Sequence, residues 1–182
     1  MAQSRRQWGW HQLDPTWAQR LVAESGVGRG DVVIDIGAGL GAITAPLVAS
    51  GASVIAVERH AARAATLRER FGDVTVVGAD ASHLWLPRRP FHVVANPPFA
   101  ITSAVLRRLL QPGSRLITAT LVLDERAVAR WSGPGAPATS RWRRHFDVAV
   151  SARLPRDAFY PSPRIACRVL TLRRCVMMQS AL

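Results

Sequence analysis

Residues 31–42 read Asp31-Val-Val-Ile-Asp-Ile-Gly37-Ala-Gly39-Leu-Gly41-Ala42. An apolar run enters a glycine turn, and a helical pattern over Ala42 to Ser50 leaves it, closed by Gly51. A short apolar run between turn signals predicts a strand buried on both faces. The same alternation continues outward. Ser53–Glu58, Val74–Val77, Phe91–Ala95 and Arg115–Leu123 read as strands, with helices over Ala61–Phe71 and Ser103–Leu110. Asp147–Ala152 and Arg164–Leu172 read as a closing antiparallel pair. Strands alternating with helices predict an α/β fold: a mostly parallel sheet with helices on both faces, and ligands at the carboxyl ends of the strands. Residues 1–15 read as a basic, aromatic segment outside this pattern, and 16–176 as one domain followed by a tail at 177–182. Residues 131–140 predict a mobile loop, and Pro155 to Pro163 a second, Pro-interrupted one.

Bulk composition narrows the partners. The 182 residues are 48% apolar, and no apolar run approaches the roughly 18 residues of a membrane span. No secretory signal is visible, and Cys167 and Cys175 make no metal spacing, which fits a reduced, cytoplasmic chain. All 24 basic residues are Arg, against 12 acids. Residues 1–30 are net +2, residues 31–100 net zero, and residues 101–182 net +10. A neutral centre with basic flanks points to a large polyanion; the plain alternative is a solvated basic surface.

Gly37, Gly39 and Gly41 let the backbone approach a ligand closely, although Gly37, Gly39 and Ala42 also satisfy a dinucleotide fingerprint and a tight turn needs no ligand. Three acids separate these readings. Glu58, followed by Arg59, ends the second strand, where a carboxylate accepts ribose hydroxyls. Asp80, with Ala81 beside it, follows the third and suits an adenine amine. Asp35 suits a sulfonium and an ammonium better than a pyrophosphate. Together they favour S-adenosylmethionine over a nicotinamide dinucleotide, with no metal; each acid alone also fits a helix cap.

The fourth strand ends in Asn96-Pro97-Pro98-Phe99. Asn-Pro often makes a rigid turn. As chemistry it explains more. The lone pair of an amine on an aromatic ring is delocalised, so acceptors on its hydrogens favour attack on a methyl. The Asn96 side-chain oxygen and the Pro97 carbonyl suit that role on a preorganised backbone. Phe99 suits stacking on a flipped base.

Val93-Val-Ala-Asn-Pro-Pro-Phe-Ala-Ile-Thr-Ser103, together with Phe159-Tyr-Pro161-Ser-Pro163-Arg-Ile165, resembles the erythromycin-resistance (Erm) rRNA adenine-N6 methyltransferases. The dimethyladenosine transferases of small-subunit RNA are their relatives. The resemblance runs from about Asp14 to Arg174. It implies a Rossmann-like class I methyltransferase fold of seven strands, acting as a monomer. It implies methylation of one adenine in 23S rRNA or a large-subunit precursor, and resistance to macrolides, lincosamides and streptogramin B. Carried over by motif, the cofactor positions are Gly37, Gly39, Gly41, Glu58, Asp80 and Ala81, the catalytic motif is Asn96 to Phe99, and the Phe159 loop faces the target base. Gly9-Trp10-His11 replaces the family's Gln-Asn-Phe, so Trp10 or His11 closes the pocket instead. Asp124 replaces a Gln, and Ile165-Ala166-Cys167 replaces Val-Asp-Ser. The sequence leaves no room for the family's C-terminal helical domain.

RNA binding is then expected of Arg5, Arg6, Arg107, Arg108, Arg141, Trp142, Arg143, Arg144, Phe159 and Arg164, with Trp142 the foremost aromatic and Trp17 and Trp85 in the core. Two rivals remain: a methyltransferase for protein glutamine or DNA adenine, and a non-enzymatic RNA-binding module.

Overall fold

The computed structural model describes residues 11–133 and 139–175. The strands are β1 (Gln12–Leu13), β2 (Val32–Ile36), β3 (Ser53–Val57), β4 (Thr75–Val77), β5 (Phe91–Ala95), β6 (Leu116–Asp124), β7 (Phe146–Leu154), β8 (Phe159–Tyr160) and β9 (Cys167–Arg174). The helices are α1 (Pro15–Ser25), α2 (Thr44–Ala49), α3 (Ala61–Arg70), α4 (Thr102–Leu109), α5 (Glu125–Ser132) and α6 (Thr139–Trp142).

Seven strands form one sheet in the order β4-β3-β2-β5-β6-β9-β7. The pairs from β4 to β6 are parallel, and β9 runs antiparallel between β6 and β7. This is the expected Rossmann-like methyltransferase architecture. Every residue of β2 is buried, as a central parallel strand covered on both faces requires. The buried apolar residues divide between those faces. One cluster gathers Leu84, Val105, Leu106, Leu109, Trp131, Trp142 and Phe146, under α4, α5 and α6. The other gathers Leu21, Leu47, Leu67 and Phe159, under α1, α2, α3 and β8.

The strand order reverses beside β2, so β2 and β5 leave the sheet side by side with a crevice between their following loops. Two turns meet there. The backbone of Gly37 sits at φ +76°, and a Cβ on it would lie 2.9 Å from Pro98 Cδ. The glycine turn after β2 therefore touches the proline turn after β5.

Several local expectations change. Residues 131–140 are not one loop: Trp131 and Ser132 complete α5, and 139–142 form α6. The Pro155–Pro163 stretch holds a short 3-10 turn and β8, which pairs antiparallel with β1. Helices α1 and α5 are additions to the sequence reading. Asp14 caps α1 by accepting from the Thr16 N–H, Pro15 opens it, and Gly26 closes it at φ 72°. Asp124 caps α5 by accepting from the Ala127 N–H. No helix among the described residues is long and apolar enough to cross a membrane.

Candidate active site

An open cleft lies where the two turns meet, lined by His11 to Leu13, Asp35, the Gly37–Leu40 turn and Asn96. Each wall has a sequence reason. Asp35 is the fourth residue of β2 and is fully buried. The Thr44 hydroxyl of α2 donates to its Oδ2 at 2.7 Å. Burial pushes the Asp35 carboxyl up to about 7; the Thr44 bond opposes this and the nearby Glu58 charge adds to it. A buried carboxyl with a raised pKa beside a cleft is a site that a cation would stabilise in its charged form.

Glu58 follows β3 and is also buried. Its Oε2 accepts from the Gly39 N–H at 2.9 Å and its Oε1 from the His60 N–H at 2.7 Å. It therefore shapes the glycine turn, and each oxygen keeps a lone pair. Asp80 caps the 3-10 turn at Ala81–His83, accepting from the Ser82 N–H and hydroxyl. Those bonds and the Arg59 guanidinium, 3.2 Å away, hold its carboxyl below the usual range. Ala81 beside it is buried in the core. Gly41 has a packing role as well, since a Cβ there would strike Phe71 at 2.6 Å and Leu67 at 3.1 Å. The bare backbone lets the turn pack closely against α3 and Phe71.

The Asn96–Phe99 turn is braced from the amino-terminal edge. Asn96 Nδ2 donates to the His11 backbone carbonyl at 2.6 Å. The His11 ring stacks on Phe99, with centroids 5.6 Å apart. Its Nδ1 lies 2.6 Å from the Pro161 carbonyl, and since a carbonyl only accepts, Nδ1 carries the proton. With Nδ2 committed, Oδ1 is the Asn96 atom without a partner among the described residues. Asp14 N–H, Gln12 and Leu13 continue the stitch onto Ala158, Tyr160 and Phe159. His11, one of the two residues expected at this edge, lines the cleft; Trp10, like Arg5 and Arg6, lies outside the described residues.

The aromatic assignments for RNA need correction. Trp142 is 7% exposed, packed between Trp131 and Phe146 in the core, with an unpartnered Nε1. Phe159 is 4% exposed and faces the core, because β8 pairs with β1 and turns it inward. Tyr160, the next residue, faces solvent. Trp85, expected in the core, is exposed, while Trp17 is half-buried under Arg20. Arg108 is also turned inward, donating to the Leu84 carbonyl and to Gln111. Arg107, Arg141, Arg143, Arg144 and Arg164 are exposed. Thr44 is the residue that the sequence reading missed; its signal is a hydroxyl one helical turn past the glycines, aimed back at β2.

Comparison with known proteins adds to this geometry. The ribosomal RNA adenine dimethylase family matches residues 1–178. The chain belongs to that family. An rRNA adenine N-6-methyltransferase of Corynebacterium diphtheriae is 35% identical over 78% of this chain and 57% of its own length. A ribosomal RNA small subunit methyltransferase A of Anaeromyxobacter sp. (strain K) is 32% identical over 92% of this chain and 66% of its own. The crystal structure of the 23S rRNA methyltransferase ErmE superposes with a TM-score of 0.81 at 25% identity, over 90% of this chain and 69% of that one. The chain thus spans less than two thirds of the length of these two curated relatives.

Proposed function

We propose that this family member transfers a methyl group from S-adenosylmethionine to the N6 amine of an adenine in 23S rRNA. The observation that carries the reading is the bond from Asn96 Nδ2 to the His11 carbonyl. It fixes the amide so that Oδ1 is left to accept a hydrogen from a planar amine. The Pro97 carbonyl, which takes part in none of the turn's backbone bonds, supplies a second acceptor. Two acceptors on the amine hydrogens favour a lone pair directed at the donor, and they favour it most as positive charge builds on nitrogen in the transition state. Phe99, held by His11 on one face, offers the other to the base.

The cleft suits the donor. S-adenosylmethionine, when bound, supplies an electrophilic methyl on a sulfonium. Asp35 and the glycine turn would hold its charged end, with Glu58 on the ribose and Asp80 and Arg59 at the adenine. The contact of Gly37 with Pro98 keeps donor and acceptor sites adjacent. No group of three metal-ligating side chains is assembled among the described residues, and the chemistry asks for none. The exposed Arg107, Arg141, Arg143, Arg144 and Arg164 supply phosphate contacts. Resistance to macrolides, lincosamides and streptogramin B would follow from methylation in 23S rRNA.

The small-subunit relative, similar over more of this chain, supports a second reading, an adenine of 16S rRNA. Purified chain with labelled S-adenosylmethionine, offered 23S rRNA, 16S rRNA, duplex DNA and protein side by side, decides. Label on adenine of 23S rRNA alone is expected; label on 16S rRNA favours the second reading, and label only on DNA or protein overturns both.

A further inference from the structure

Trp85 stands 88% exposed on the connection from β4 to β5, on a backbone anchored at both sides. Leu84 is buried, Leu86 packs against the same core, and Pro87 follows. From α4, Arg108 Nε donates to the Leu84 carbonyl at 2.7 Å. With its neighbours turned in, the indole is turned out and held there. Leaving it in water forfeits one of the largest burial gains a side chain offers.

Its surroundings are cationic. Arg88 and Arg89 are exposed on the same connection, and Arg107 is exposed beside the arginine that grips Leu84. No ion pair among the described residues holds Arg88, Arg89 or Arg107. Leu84 shares its buried cluster with Trp142, so the exposed Arg141, Arg143 and Arg144 belong to the same face of the sheet.

We infer that Trp85 is a stacking platform for an unpaired base of the RNA substrate, with Arg88 and Arg89 on the flanking phosphates. This rests on the reading of the chain as an RNA methyltransferase and adds a contact outside the catalytic turn. An exposed ring on the same connection as two exposed arginines that no ion pair among the described residues holds matches a single-stranded polyanion, whose bases present π faces. Paired RNA hides those faces, and an acidic peptide has no ring to offer the indole. Because the platform is already rigid, little ordering entropy is spent on binding.

The test is equilibrium binding across a salt series to an rRNA fragment with an unpaired, purine-rich segment, and to a fully paired RNA of equal length. The proteins are the wild type, Trp85→Ala, Trp85→Phe, and Arg88→Ser with Arg89→Ser. Trp85→Ala is expected to bind the unpaired fragment about 5- to 100-fold more weakly and the paired RNA within twofold, with Trp85→Phe retaining most of the affinity. The arginine variant is expected to lower the salt slope by between one and two. Unchanged affinity of Trp85→Ala for the unpaired fragment overturns the inference. So does an equal loss on both RNAs. Wild-type methyl transfer in the same preparation separates the two readings: transfer present with Trp85→Ala unaffected sinks only this inference, whereas binding without transfer by the wild type sinks the catalytic reading.

Discussion

Asn96 donates from Nδ2 to the backbone carbonyl of His11 at 2.6 Å, across 85 residues of sequence. A side-chain amide can face either way; this bond chooses, leaving its oxygen free. Asn96→Asp replaces the N–H with an acceptor that faces the same carbonyl. The expected result is about a 10²- to 10³-fold loss in kcat, with cofactor affinity within threefold by calorimetry. A variant as active as the wild type would show that the amide's orientation is irrelevant.

His11→Ala keeps the backbone carbonyl and removes the ring. It loses the stack on Phe99 and the bond to Pro161. A hydrogen bond of this kind contributes about 1 kcal/mol, so Tm is expected to fall by about 2–4 °C for a domain of this size. KM for RNA should rise more than kcat falls, because the acceptors on the amine stay in place. Steady-state kinetics beside calorimetry check both.

Gly37→Ala puts a Cβ 2.9 Å from Pro98 on a backbone at φ +76°. The left-handed conformation alone costs an alanine about 1–2 kcal/mol, and the contact adds to it. Relief requires the two turns to separate, so methyl transfer should fall well beyond the loss of stability. Denaturant unfolding and single-turnover rates compare the two.

Asp35 holds its proton up to about 7 in the folded chain against an ordinary 3.8. Burial is the main cause. The folded state therefore binds one more proton than the unfolded state between those values, and this group's contribution to stability is lost as pH rises through the window. A cationic ligand against Asp35 favours the ionised form, so cofactor affinity is expected to increase from pH 6 to pH 8. Asp35→Asn should flatten both dependences. A pH-independent cofactor affinity in the wild type would contradict the assignment of Asp35 to the ligand's positive end.

Trp142→Ala opens a cavity between Trp131 and Phe146 and is expected to cost about 3–5 kcal/mol of stability. Trp142→Phe should cost far less, because the buried Nε1 has no partner to lose. RNA affinity of the folded Phe variant should match the wild type. Urea unfolding with filter binding reads both.

The sheet was legible because its strands are short apolar runs between turns; Phe91–Ala95 matches the structure at both ends, and the other strands of the large sheet begin and end within a few residues of their expected limits. The glycine turn and the Asn96–Phe99 turn were legible because each needs particular residue types at a strand end, and the structure brings the two together. What was not legible depends on contacts distant in sequence. The pairing of Gln12 with Tyr160 spans the chain, and it turns Phe159 inward. Trp85 and Trp142 exchanged their expected places because both lie among arginines: only packing shows that Trp142 has Trp131 and Phe146 around it, while Trp85 sits between two leucines that point the other way. Helix α1 carried readable signals in Asp14, Pro15 and Gly26, but its polar, aromatic composition obscured them.

The most direct measurement is mass spectrometry of adenines in 23S rRNA incubated with S-adenosylmethionine and either the wild-type chain or Asn96→Ala. N6-methyladenine at a single position with the wild type, and none with an Asn96→Ala chain that still binds the cofactor, is the predicted result. Equal methylation by both proteins, or none by the wild type on any rRNA, would contradict the account.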